Sequence, residues 1–283
     1  MSKANEGRIA YISVDIEGVA GVVSPAQTVR KGFEYERARH WMTQEAAAVC
    51  EGALAAGCDS CIVSDSHGEG ENLLIEDLPR GTQVVRNWPR PLGMMQGVDE
   101  PGVLAAALIG YHTDARCDQG VLAHTFAGRL ISGLKINDVE ASETLVSAAV
   151  AGEFGVPITL ASGDVAYTRH VQETLGPEVL TVATKRGHGR YSATSLHPED
   201  AREQLRSLAE LAFSAPSTNT FDFEQPCRVE LCFQRHLPAE LLCYLEGFER
   251  LDGTTICFEA KSAVSLCKTL RFVTSVVFDE QLP

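Results

Sequence analysis

The sequence predicts an α/β protein, a mainly parallel sheet flanked by helices with a smaller C-terminal α/β lobe. Two observations carry this. Short apolar runs alternate with segments of helical spacing along most of the 283 residues, the pattern of a parallel sheet with crossover helices. Several of those runs also end in polar, chemistry-bearing residues, and in open parallel sheets ligands gather at the carboxyl ends of the strands.

The elements follow in order. Ile9 to Val14 is an apolar strand that runs into Asp15 and Glu17. Phe33 to Ala56 has helical spacing, with Ala46, Val49, Cys50, Ala53 and Leu54 as its apolar stripe and Gly57 as its stop. Ser60 to Asp65 is the second strand, followed by the loop Gly68 to Asn72 and a short strand from Thr82 to Arg86. Leu104 to Ile109 is a strand leading to His112, and Val121 to Phe126 follows a polar stretch. Arg129 to Ile136 reads as an extended element closed by Asn137-Asp138, then a helix from Glu140 to Phe154 ends at Gly155. Val156 to Ala161 is a strand ending near Gly163-Asp164, and Pro198 to Phe213 is an amphipathic helix with its proline in the first turn. Ser214 to Thr220 is the expected linker between a domain of residues 1–213 and a lobe of residues 221–283. In that lobe Cys227 to Phe233, Pro238 to Leu245, Thr254 to Ala260 and Ser262 to Val277 read as strand, helix, strand, helix.

Composition narrows the partners. The formal net charge of −14 argues against nucleic acid and against an anionic membrane surface, which both select a basic face. Met1 to Arg8 is short and polar, so no signal peptide is expected, and no apolar run is long enough for a bilayer span. Nine scattered cysteines suit reduced thiols in the cytoplasm better than a disulfide framework. Cys58 and Cys61 form a lone CxxC pair, read as two small, partly buried thiols. Lys185 to Arg190 is the one dense basic run in the chain, read as a solvated loop or subunit contact in preference to a carboxylate site.

The strand ends carry the chemistry. Asp15 and Glu17 sit two apart, so on an extended chain both carboxylates aim at one place. Two like charges there call for a cation. His67 and His112 follow the next two core strands, and Glu143 opens a later helix. Taken singly, each has a plain structural role open to it: a solvated strand end, a turn histidine bonded to Asp65, a satisfied ring at a sheet edge, an acid favoured by a helix dipole. Together Asp15, Glu17, His67, His112 and Glu143 form an oxygen and nitrogen set that suits Zn²⁺. Five ligands are too many for one open tetrahedral ion and fit two ions about 3.5–4 Å apart, with Asp15 as the bridge. Asp65 is expected to support the ligands instead of joining them. His124, twelve residues after His112, suits proton transfer beside the metals.

These residues resemble a known family. Ser13-Val14-Asp15-Ile16-Glu17-Gly18, Ser64-Asp65-Ser66-His67, Gly110-Tyr111-His112, His124, and Ile136-Asn137-Asp138 with Glu143 are similar to the zinc-dependent D-aminopeptidases linked to dipeptide transport. The resemblance runs from about residue 8 to Gly163-Asp164 and more weakly beyond. It implies that Asp15, Glu17, His67, His112 and Glu143 bind two zinc ions and that His124 is the catalytic residue, described in the family as a nucleophile. It also implies a ring-shaped homo-oligomer, a decamer whose sites face an inner channel. Departures fall in Gly68 to Asn72 and Lys185 to Arg190, which bear on specificity.

The resulting expectation is a cytoplasmic dizinc aminopeptidase acting on short peptides with an N-terminal D-residue such as D-alanine. A metal-ionised water attacks the carbonyl and His124 moves the proton. The alternatives are a metal-dependent hydrolase of another bond, such as a γ-D-glutamyl amide, and a non-catalytic ligand-binding oligomer of peptide transport.

Overall fold

The computed structural model describes residues 7–276 and residue 278. The polar start at residues 1–6 and Val277, the expected end of the last helix, lie outside the described residues. In chain order the elements are β1 (Ile9–Val14), α1 (Pro25–Thr28), α2 (Tyr35–Ala55), β2 (Ser60–Asp65), β3 (Thr82–Val85) and β4 (Val103–Ile109). Then come β5 (Ile131–Ile136), β6 (Val139–Glu140), α3 (Glu143–Glu153), β7 (Ile158–Asp164), α4 (Val165–Leu175), β8 (Leu180–Gly189), β9 (Ser192–Ser195) and α5 (Pro198–Ser214). The chain closes with β10 (Cys227–Phe233), α6 (His236–Leu242), β11 (Phe248–Arg250), β12 (Thr255–Ala260) and α7 (Ala263–Ser275).

Among the described residues a seven-stranded sheet runs β3-β2-β1-β4-β7-β8-β9. Every pairing in it is parallel except β8 with β9. This is the expected sheet, and its strands read as apolar runs because both faces are covered. On one face Ala10, Ile12 and Val14 pack with Met42, Val49 and Ala53 of α2 and Leu205 and Ala209 of α5. On the other, Tyr11 and Leu108 pack with Ala149 of α3, Tyr167 of α4 and Cys267 of α7. The period-two alternation of the strand thus divides the core into two layers.

A second sheet runs β11-β12-β10-β5-β6 and is antiparallel throughout. Its central strand β10 pairs with β12 from the C-terminal segment and with β5 from residues 131–136. The hairpin β5–β6 turns at Asn137 and Asp138, both at positive φ, and short polar side chains tolerate that backbone. The smaller sheet therefore draws two of its strands from within residues 1–213. Sequence periodicity marked β5 as extended but could not say which sheet it would join.

The order β3-β2-β1-β4 places β2 and β3 on one side of β1 and β4, which follows them in the chain, on the other. The carboxyl ends of β1, β2 and β4 therefore open onto a topological switch point, where open α/β sheets bind ligands. Two glycines let the backbone close there. A Cβ on Gly18 would lie 2.1 Å from the Tyr111 carbonyl oxygen. Gly110 has φ +70°, and a Cβ on it would lie 2.2 Å from the Asp15 carbonyl oxygen.

Candidate active site

All six residues singled out by sequence meet at this switch point. Asp15 is 2% exposed and follows β1 directly. Its Oδ1 lies 3.1 Å from His67 Nδ1, and its Oδ2 lies 3.4 Å from His112 Nε2. His67 Nδ1 is also 3.0 Å from Glu17 Oε2, and His112 Nε2 is 3.5 Å from Glu143 Oε1. His124 Nε2 is 3.9 Å from the same Glu143 oxygen. The residues form two clusters, Asp15 with Glu17 and His67, and His112 with His124 and Glu143, each with ligand atoms within 4.8 Å of one another. Asp15 offers one oxygen to each.

The rings are held so that their inward nitrogens carry lone pairs. His67 Nε2 is 2.6 Å from the Thr28 carbonyl, His112 Nδ1 is 2.8 Å from that of Thr113, and His124 Nδ1 is 3.0 Å from that of Leu122. A carbonyl only accepts, so each of these nitrogens bears the hydrogen and donates it. In the neutral rings His67 Nδ1 and the Nε2 atoms of His112 and His124 then face the carboxylates, the orientation used by metal-binding histidines.

Such a gathering of acceptors needs a cation. His112 Nε2 is buried with no hydrogen-bond partner, a costly state for a polar atom, and the buried Glu17 Oε2 has the His67 ring nitrogen as its near neighbour. Burial, and then Glu17 beside it, push the Asp15 carboxyl well above its usual range. Burial alone would raise Glu17 as well, but the His67 ring outweighs it and holds that carboxyl well below the usual range. Burial alone would lower His67, yet Glu17 and Asp15 prevail and raise it well above the ordinary histidine value. Burial and the neighbouring His124 ring lower His112. The first cluster traps a positive charge, as a proton or as a metal ion in its place. The donor set of carboxylate oxygens and imidazole nitrogens fits Zn²⁺.

The surroundings fix these side chains. Ser13 Oγ is 2.7 Å from both Ser66 Oγ and the Tyr111 hydroxyl, so the ends of β1, β2 and β4 are tied beneath the site. Asp65 accepts from the backbone N–H groups of Asn72 and Leu73 and from the Asn72 amide, which also donates to the His67 carbonyl. This is the supporting role expected of it. Ser142 caps α3 by accepting from Leu145 N–H, which sets Glu143 in the first turn, and Glu143 Oε1 accepts from Phe126 N–H. His124 lies between Leu122 and Phe126, both at φ +56°, strain of order 1 kcal/mol or more each. Asp164, the cap of α4, holds this stretch by accepting from Val121 N–H at 2.6 Å. The His112 and His124 rings stack at 4.0 Å and 16°.

The expected basic loop is mostly strand, with Arg186, His188 and Arg190 exposed and Lys185 turned inward. Lys185 lies within β8 and is 2% exposed, and its ammonium donates to the carbonyl oxygens of Glu17, Val19 and Val22. Glu45 of α2 accepts from Ala20 N–H in the same turn. The segment that presents Glu17 is thus clamped at its carbonyls by Lys185 and at an amide by Glu45. Neither role was visible in the sequence, where Lys185 is 168 residues from Glu17 and Glu45 is one polar residue in an alanine-rich helix. The thiols of Cys58 and Cys61 are free and buried, and among the described residues neither candidate metal cluster includes a cysteine.

A model of the D-aminopeptidase family matches residues 9–272 of the chain. The chain belongs to the D-aminopeptidase family. It is 29% identical over 272 residues to a D-aminopeptidase of Bacillus subtilis (strain 168), covering 94% of this chain and 96% of that one. In structure it matches the Zn-dependent D-aminopeptidase DppA from Bacillus subtilis, described as a self-compartmentalizing protease, with a TM-score of 0.89 and 26% identity over 97% of this chain and 100% of that one. The match to the family spans the strands of both sheets. No helix among the described residues is long and apolar enough to cross a membrane.

Proposed function

We propose that the chain is a dizinc aminopeptidase that removes an N-terminal D-residue, such as D-alanine, from short peptides. It works in the cytoplasm as a ring-shaped homo-oligomer, a reading supported by the self-compartmentalizing relative. Residues 1–213 would act as the catalytic unit and residues 221–283 as a lobe that completes its wall. The observation that carries the proposal is the shared Asp15, with one carboxylate oxygen turned to each of two ligand clusters.

Asp15, Glu17 and His67 would hold one ion, and Asp15, His112 and Glu143 the other. When bound, zinc ionises water near neutral pH and polarises a carbonyl. His124 does the proton work. Its Nδ1 hydrogen is engaged by the Leu122 carbonyl, so Nε2 is the atom that takes a proton and returns it to the leaving amine. At 24% exposed it is the most open of the six side chains, and the stacked His112 ring keeps it aimed. Glu17, His67 and Glu143 lie on the wall of a cavity of about 540 Å³, within the usual range for a small-molecule site.

The test is release of D-alanine from D-Ala-D-Ala by the zinc-loaded protein. Chelation abolishes it, and His124→Ala lowers kcat by about 10²–10⁴-fold, the ordinary worth of a general acid–base group. Full activity in a metal-stripped sample, or a preference for L-Ala-L-Ala, refutes the proposal.

A further inference from the structure

One wall of the cavity is a stripe of α7. Cys267, Leu270, Arg271 and Thr274 line it, spaced three and four apart so that they share one helix face. Arg271 is the only cation of that stripe, and it shares the cavity with the Glu17, His67 and Glu143 side chains. The chain carries a net charge of −14, yet no acid among the described residues pairs with this guanidinium, and its Nε is buried with no hydrogen-bond partner.

The guanidinium is also set in place. Its Cζ lies 4.6 Å over the Trp88 ring, and Trp88 is fixed by donating its indole N–H to the Gly68 carbonyl at 2.7 Å. Arg90 lies 4.3 Å over the same ring but spends its donors on Ser64 Oγ and the carbonyls of Asp65, Val85 and Asn87. Two arginines therefore meet one tryptophan, one with its donors engaged and the other, on the cavity wall, with no hydrogen-bond partner for its Nε. The other charged side chains on its wall are the exposed Glu69 and Arg129, besides the two acids of the metal clusters. A stacked, partly dehydrated guanidinium with open donors is a carboxylate receptor.

We infer that Arg271 is the anion subsite of this cavity and takes the free terminal carboxylate of a short peptide whose amino end lies at the Asp15–Glu143 cluster. The identity of the ligand rests on the peptidase reading, while the charge preference does not. The subsite explains how a strongly acidic chain selects a substrate that is itself an acid, and it limits substrates to peptides short enough to place both ends in one cavity.

Binding of D-Ala-D-Ala and of its C-terminal amide to the whole, chelated protein tests this by calorimetry. Wild type binds the acid about tenfold or more tightly than the amide. Arg271→Met, which keeps an apolar stem against Trp88, brings the ratio to about one, and Arg271→Lys gives an intermediate value. Equal affinity of wild type for acid and amide, or an unchanged ratio in both variants, overturns the inference. The lysine variant alone decides the matter if the methionine variant does not fold. Turnover by the zinc-loaded protein is read separately. Retained preference for the acid without cleavage of any D-peptide supports the subsite and sinks the peptidase reading.

Discussion

Replacing Lys185 by methionine keeps the aliphatic stem and removes the ammonium that holds the Glu17–Val22 turn. Three buried carbonyls, of Glu17, Val19 and Val22, lose their donor, at roughly 1–3 kcal/mol for each group left unsatisfied. Against this stands relief from burying a charge. Desolvation lowers the Lys185 pKa from 10.5 to about 8, which corresponds to about 3 kcal/mol returned on removing the ammonium. The middle of the range leaves a net loss of about 3 kcal/mol, and for a chain of this size that is a fall in Tm of about 6–10 °C. Calorimetry on chelated protein at pH 7 and fixed protein concentration measures it, because bound metal and subunit association both raise Tm by mass action. The same variant loosens the backbone that presents Glu17, and zinc affinity falls about 10–100-fold. A Tm within 2 °C of wild type together with unchanged zinc affinity would refute the clamp.

Two further outcomes follow from the same geometry. Burial raises the Glu45 carboxyl from 4.5 to about 7, so between those values the folded chain holds a proton that the unfolded chain has lost. Stability therefore falls by about 3 kcal/mol as pH rises through that window; Glu45→Gln removes this contribution, and identical slopes of unfolding free energy against pH in the two proteins would contradict it. Asp65→Asn sets an amide group against the donors of Asn72 and Leu73, costing about 1–3 kcal/mol and weakening zinc binding about tenfold through the His67 loop, read by urea unfolding and metal titration.

Much of the sheet was legible because buried parallel strands are apolar throughout and end abruptly. β1, β2 and β4 were each visible as a run with a polar stop, and α2 and α5 by their stripes and by Gly57 and Pro198. α4 and β8 were not, since Val165 to Gly189 mixes charged and apolar residues in both elements. β5 buries Ile131, Leu134 and Ile136 and leaves Ser132 and Lys135 half-buried, which identifies a strand with one better-covered face but names no partner.

The sequence by itself determined the chemistry on offer: acids and imidazoles at consecutive strand ends, in an order that resembles one family. That reading works because strand direction and the period of two fix where the terminal residues point. Only the tertiary structure decided what surrounds them. Lys185, Glu45, Asp164 and Arg271 act through partners distant along the chain, and whether such a side chain is solvated or clamped depends on packing that no local pattern records. Ring tautomers belong to the same class, because the carbonyls of Thr28, Thr113 and Leu122 choose which nitrogen faces the cluster.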